Sequence, residues 1–283
     1  MPAPVWDAIR AAATVSSPPT VLLATWDPYV PWELAVVPEP WDPDGPPFLG
    51  AQAVIGRWPY SEQVRAPVPA LRIEAQSMAT VKGEYGGSKR LEEAEKEADH
   101  LKDSYKAAQV PARIRPILDC LGKATPPAHI LHMAVHGRFD HTGTQDGILM
   151  EDGKYLRPRS IRGVKEAAHV DVIDVGVVFL NACQLGQAQE MLGEYAGMAT
   201  AFTSLGVDAV IAPLWKVDDA IARKVAEGFY KAVLGDEGLS PAEYLRRERH
   251  ATKGKEALAE GTRLAYLFFG HPRLRISWHP EGN

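Results

Sequence analysis

Two reactive side chains share one local setting in this sequence. His136 ends the apolar run LHMAV just before Gly137, and Cys183 ends VVFLNA just before a polar stretch. A free cysteine thiol has a pKa of about 8.5 and is mostly protonated at neutral pH; a nearby imidazole can take its proton or hold the thiolate. An imidazole near its ordinary pKa of about 6.5 can later return that proton to a leaving amine. Gly137 has no Cβ, so its backbone can approach a scissile carbonyl, and the amides of Gly137 and Cys183 are candidate oxyanion donors. The same residues also fit a plainer reading, with Cys183 a small buried apolar residue and His136 a satisfied strand-end histidine.

Both residues need strands to hold them. HILHMAV (129–135), VVFLNA (177–182) and DAVIAPLW (208–215) are uninterrupted apolar runs, as expected of strands buried on both faces of a parallel sheet. In such a sheet the carboxyl ends of the strands share one edge, where sites form, so His136 and Cys183 can face each other there. His129, His132, His136 and His141 cluster in the sequence, but alternation puts His132 and His136 on one face and His129 on the other. No CxxC or HExxH accompanies them, so no metal site and no cofactor is assigned. His132 is read as a residue that orients the site.

Helical signals separate the strands. In LEEAEKEADHLKDSYKAA (91–108), Leu91, Ala94, Ala98, Leu101 and Tyr105 form one apolar stripe, which predicts a helix covering a sheet face. Further helices are expected over 197–205 and 218–234, and from Ser240-Pro241-Ala242-Glu243, a capping box with proline at the first helical position. Asp152-Gly153 predicts a hairpin turn in ILMEDGKYL, and LAYLFF and RLRISW are strand candidates. Cys120 lies on a helical apolar stripe with Ile114 and Leu118 and reads as core. The alternation describes an α/β fold with a mainly parallel sheet.

Composition narrows the rest. Fourteen of the 23 prolines and five of the seven tryptophans lie before Ala70, which divides a Pro/Trp-rich segment, 1–66, from an α/β domain, 67–283. TVLLATW (20–26) and ELAVV (33–37) are expected strands that pack on or extend the core, with 38–47 an exposed loop. A net charge of −5 offers no footprint for a phosphate backbone, so nucleic acid is not an expected partner. No apolar run reaches the roughly 20 residues of a membrane span. Two cysteines in 283 residues and an N-terminus without a secretion signal point to a reducing, cytoplasmic setting.

HILHMAVHG and VVFLNACQLG resemble the catalytic histidine and cysteine strands of the CHAT peptidases, caspase-like and separase-like cysteine peptidases of clan CD. The spacing, 183 − 136 = 47 residues, is close to the roughly 50 of caspases. The stretch from Gly197 to Arg247 resembles the family's helix, strand, Trp-containing loop and long helix in that order. GHPRLRI is similar to its Gly-Asp-Pro closing motif with His271 in place of Asp, and DPYVPWELA to a Pro-Trp-Glu segment found in some members. Gln184-Leu185-Gly186 stands where many relatives carry Glu-Thr-Gly, and Tyr195-Ala196 where a glycine-rich turn is common.

The resemblance implies a caspase-like α/β/α sandwich and hydrolysis of peptide bonds in a protein or peptide substrate through His136 and Cys183. It also implies a basic P1 residue met by an acidic pocket. Asp218 matches the separase-like loop by position, with Asp219 and Asp146 as rivals, although Asp218 is equally suited to cap the helix that follows it. Control by a sensor partner or an upstream domain such as TPR repeats, in bacterial defence or cell death, is implied in the same way. The alternative is a catalytically idle module that serves as a scaffold.

Overall fold

The computed structural model describes residues 1–25, 27, 30–60, 68–87, 90–122, 128–138, 147–169, 173–184, 194–254 and 257–280. Its strands are β1 (Thr20–Thr25), β2 (Val54–Pro59), β3 (Arg72–Ala75), β4 (Met78–Lys82), β5 (Ala108–Pro111) and β6 (Ile130–Arg138). The chain continues with β7 (Gly147–Leu149), β8 (Tyr155–Leu156), β9 (Val177–Gln184), β10 (Ala209–Pro213), β11 (Tyr266–Phe269) and β12 (Arg275–Trp278). The helices are α1 (Ala3–Val15), α2 (Leu49–Gln52), α3 (Glu92–Tyr105), α4 (Ile114–Gly122) and α5 (Pro158–Arg162). They are followed by α6 (Val164–Ala168), α7 (Glu194–Leu205), α8 (Asp219–Leu234), α9 (Pro241–His250) and α10 (Ala257–Ala265).

Ten strands form one sheet whose main path runs β1-β2-β11-β10-β9-β6-β4-β5, with β7 and β8 turning off the end of β6. The path is parallel except where β11 meets β10. A helix layer covers each face. Leu131, Met133, Val135, Val178 and Leu180 pack with Ile117, Ile161, Met198 and Phe202 from α4, α5 and α7. Ile130, Val177 and Phe179 pack on the opposite face with Leu101, Val225, Phe229, Tyr230 and Leu245 from α3, α8 and α9. Burial on both faces is why these strands read as unbroken apolar runs.

The expected hairpin forms: β7 pairs antiparallel with β8, and Gly153 takes a φ of +78°, a conformation that favours glycine. Ser240 caps α9 as expected, its Oγ accepting from the Glu243 amide at 3.1 Å, while the Glu243 carboxylate pairs with Arg246 and Arg247 instead of returning to the Ser240 amide to complete the box. Cys120 is buried, and burial pushes its thiol up to about 11, which makes it a poor nucleophile. The His271 imidazole Nδ1 accepts from the Arg273 amide at 3.1 Å, closing the turn as an aspartate side chain does. Burial, then the charge of Arg273, lowers the His271 pKa and so favours the neutral ring that can accept this bond.

One expectation fails. The ELAVV run is not a strand: Trp32–Leu34 is a 3-10 turn, and all that remains of pairing is a bridge between Val36 and Phe48. The reason is Glu33, which is only 1% exposed. The turn swings it into the core, where it takes a two-pronged ion pair from Arg57 of β2, with Nε donating to Oε1 at 2.9 Å. Arg57 also donates to the Val30 carbonyl at 2.7 Å. Arg249 of α9 lies in the same buried cluster and donates to the Tyr266 carbonyl. Its burial, offset in part by Glu33, pushes its pKa down to about 10. The Pro-Trp-Glu segment is therefore pinned to β2 of the sheet through charge.

Candidate active site

Strand β6 runs two residues beyond His136, because Gly137 and Arg138 pair with Ile148 and Gly147 of β7. His136 is thus inside the ladder rather than past its end. On the other side of β6 the parallel register with β9 is His132↔Phe179, Ala134↔Asn181, His136↔Cys183 and Gly137↔Gln184. The backbone positions of His136 and Cys183 are therefore direct neighbours on adjacent parallel strands, about 4.8 Å apart in the hydrogen-bonding direction. Period-two alternation puts positions 132, 136, 179, 181 and 183 on the same face. The Cys183 side chain lies outside the described residues, as does Asp146.

His136 is 3% exposed. Tyr85 covers it, with ring centroids 4.5 Å apart and planes at 64°, an edge-on contact. The Tyr85 hydroxyl donates to the Leu149 carbonyl at 2.6 Å, and Leu149 is itself the β7 register partner of His136. Burial raises the Tyr85 hydroxyl well above the usual phenol range, so it stays a neutral donor. Tyr85 and Leu149 hold the imidazole against the strand from outside.

His132, four residues earlier on the same face of β6, is fully buried. Its Nδ1 is 3.0 Å from the Tyr230 hydroxyl, and its Nε2 is 2.7 Å from Glu97 Oε1 but off the line of the ring N–H. Burial first, and then the charge of Glu97, hold the Tyr230 hydroxyl well above its ordinary pKa. The Asn181 amide donates to both Glu97 oxygens at 2.9 and 2.8 Å, and its carbonyl oxygen accepts from the Tyr266 hydroxyl at 2.6 Å. A polar chain of five side chains therefore lies inside the apolar layer between the sheet and α3 and α8.

Glu97, Asn181, Tyr85, Tyr230 and Tyr266 are absent from the sequence-derived set. Glu97 carried a signal: it occupies the stripe of α3 between Ala94 and Ala98, where a charge is out of place. Asn181 likewise interrupts the apolar run of β9. His129 turns away, its Nδ1 2.8 Å from Ser77 Oγ at the amino ends of the strands.

Of the expected acidic residues, Asp218 caps α8, accepting from the Ile221 amide at 3.0 Å. Asp219 instead lines a small crevice of about 10 Å³ between α3 and α8, together with Leu91, Ala94, Glu97, Val135, Asn181, Val217 and Ala222. Among the described residues no group of three or more His, Cys, Asp or Glu side chains is arranged to hold a metal ion, and no helix is long and apolar enough to cross a membrane.

The family model described as the CHAT domain matches residues 29–272. No curated protein matches the chain. Among solved structures, the chain is similar to the Arg-specific cysteine proteinase gingipain R, at 11% identity with a TM-score of 0.53 over 96% of this chain and 66% of that one. It is similar in the same way to RgpB in the complex of the Porphyromonas gingivalis pro- and mature domains, at 9% identity and a TM-score of 0.53, over 96% of this chain and 68% of that one. The separase–securin complex of Saccharomyces cerevisiae matches at 15% identity with a TM-score of 0.49, over 81% of this chain. The chain spans only 14% of that separase chain. The mostly parallel sheet, its helix layers and the family match agree: this chain belongs to the CHAT domain family and has the α/β fold of the caspase-like cysteine peptidases.

Proposed function

We propose that the protein is a cysteine endopeptidase in which His136 activates Cys183 for attack on a peptide carbonyl. The observation that carries this reading is the backbone register, which makes the two residues neighbours at the carboxyl edge of the sheet. The balance is that of thiol acyl transfer. The Cys183 proton passes to His136, the sulfur forms a bond to the carbonyl carbon, and the amine leaves with the proton from His136. Water then cleaves the thioester and restores the thiol. We assign the backbone amides of Gly137 and Cys183 to the oxyanion, and His132 to orienting the layer beneath the dyad.

The preferred P1 residue is basic. What supports this is the half-buried Asp219 carboxyl at the start of α8, beside the crevice between α3 and α8, an acid of the sign that a lysine or arginine head requires. Asp218 fits this role less well, because its side chain is engaged as a helix cap. We further infer that the protein acts in bacterial defence or cell death under a regulatory partner or an attached sensor domain such as TPR repeats.

The test is hydrolysis of a P1-scanned fluorogenic peptide library by wild type, Cys183→Ala and His136→Ala, with and without candidate partners. Cleavage after Arg or Lys that is lost in both variants supports the reading. Silence with an authentic partner present overturns it in favour of a scaffold.

A further inference from the structure

The two outer strands of the main path are built differently. β5 is four residues long and ends in Pro111. The strands of the small second sheet, β3 and β12, carry Arg72, Glu74 and Arg275 at exposed positions. Short length, proline and charge are the means by which sheet edges avoid pairing with another chain. β1 has none of them: it is six residues long and reads TVLLAT. Among the described residues no strand lies along its outer side.

The ladder between β1 and β2 fixes which residues face outward. The Val54 amide donates to the Pro19 carbonyl and the Tyr60 amide to the Thr25 carbonyl, each at 2.9 Å. With the parallel register running from Thr20↔Val54 to Thr25↔Pro59, the backbone groups of positions 19, 21, 23 and 25 belong to β2. Thr20, Leu22 and Ala24 therefore turn their N–H and C=O groups to the outer edge. Their side chains share one face, where Leu22 is 40% exposed and Ala24 is exposed as well. Val21 and Leu23, on the other face, pack against the cluster around Ile9 and Leu49 and stay only partly buried.

These three outward residues are centred on Leu22, so an antiparallel copy of the same strand meets all of them in one register. Leu22 then faces Leu22, with Thr20 facing Ala24 on either side. Each pair exchanges two backbone hydrogen bonds, about six in all. A shift of two residues in either direction leaves one of the three without its counterpart. In the centred register Val21 meets Leu23 on the face that carries Ile9, which covers the apolar surface those side chains still expose.

We propose that β1 is a dimerisation strand, pairing antiparallel with β1 of a second copy of this chain about a two-fold axis through Leu22. Such a contact is self-complementary and closed, and it occupies the open side of β1 in both copies. Like charges facing each other across the axis would oppose it, and β1 has no charge. The strand precedes residues 29–272, so the interface lies outside the stretch that matches the family model. The axis stands perpendicular to the sheet, and the carboxyl edges of β6 and β9 in the two copies open in opposite directions. The pairing does not depend on the peptidase reading.

The experiment is sedimentation velocity of the full chain over a concentration series, with wild type, Leu22→Lys and Ala24→Pro. Wild type is expected at twice the 30.9 kDa chain mass. Leu22→Lys sets two like charges opposite each other and should weaken association on the order of 100-fold, with an unchanged far-ultraviolet spectrum because the position is exposed. Ala24→Pro removes an amide that β2 does not use, and should abolish the dimer while the monomer stays folded. In a Cys183→Ala background, a short bifunctional thiol reagent should join Leu22→Cys to its copy, since hydrogen-bonded partners lie about 5.5 Å apart at Cα. Cys183→Ala alone should stay unlinked. Wild type at the chain mass at every concentration overturns the proposal and leaves the edge to a strand from a different protein. A dimer that survives both edge variants, or that Leu22→Cys does not link, overturns it as well.

Discussion

Asn181 and Glu97, 84 residues apart in the chain, are joined by a forked contact in which one side-chain amide donates to both carboxylate oxygens, at 2.9 and 2.8 Å. Because Tyr266 donates to the same asparagine, this contact ties α3, β9 and β11 together two residues before the cysteine position. Replacing Asn181 by Asp puts a second carboxylate against the first in a buried layer. We expect a loss of ~2–4 kcal/mol in urea denaturation at pH 7, shrinking towards pH 5 as one carboxyl of the pair takes up a proton. Asn181→Ala leaves acceptors without their donor and should cost ~1–3 kcal/mol with no comparable pH trend. Identical pH profiles for the two variants would falsify the charge-repulsion account.

Tyr85 separates packing from hydrogen bonding at His136. Tyr85→Phe keeps the ring contact and loses only the bond to the Leu149 carbonyl, so it should cost about 1 kcal/mol of stability and leave turnover nearly intact. Tyr85→Ala removes the ring that covers the imidazole. Misplacement of a catalytic group by about 1 Å can lower rates ~100-fold, and peptide hydrolysis by Tyr85→Ala should fall by that order. Equal kcat values for the Phe and Ala variants would argue that Tyr85 does not position His136.

The two neighbouring aspartates should part company. Asp218→Ala removes the α8 cap and should lower stability by ~0.5–2 kcal/mol without changing the preference for P1-Arg over P1-citrulline. Asp219→Asn should reduce that preference several-fold with little effect on the unfolding midpoint. The reverse pattern would return the pocket role to Asp218.

Acid stability should depend on Glu33. Burial alone would raise its carboxyl, but the charge and hydrogen bonds of Arg57, then the charge of Arg249, outweigh burial and hold it below the usual range. A carboxyl with a lowered folded pKa adds stability that is fully present above the unfolded value of about 4.3 and is lost as pH falls through the folded value. Wild type should therefore lose stability steeply below about pH 4.3, and Glu33→Gln, already weaker by ~3–5 kcal/mol at pH 7, should lose less over the same interval. Parallel acid limbs in urea titrations of the two proteins would show that Glu33 is not the group responsible.

The strands that carry the site were legible because burial on both faces leaves long apolar runs ending at His136 and Cys183. The helix over 92–105 was legible from its stripe, but the same stripe concealed Glu97, since a periodic pattern identifies the buried face without saying what a polar residue on that face meets. Glu97 and its partners Asn181, Tyr230 and Tyr266 come from four separate elements, and their meeting depends on strand order, which no local pattern encodes. ELAVV misled for a related reason: its alternation suits a strand, yet the long-range pull of Arg57 on Glu33 decides the backbone. Asp218 and Asp219 are adjacent in sequence, and only the helix start separates a cap from a crevice wall.

The side-by-side alignment of β6 and β9 sets an arithmetic rule for descent within this family. Each strand residue added or lost between the core-anchoring positions and His136, or between theirs and Cys183, turns the affected residue to the other side of the sheet. Relatives that keep both groups should therefore vary in length within 130–136 and 177–183 only by even numbers of residues, and by matching amounts in the two strands. Odd changes should be confined to the connections outside these strands, so the gap pattern of a future alignment carries information about this site independent of residue identity.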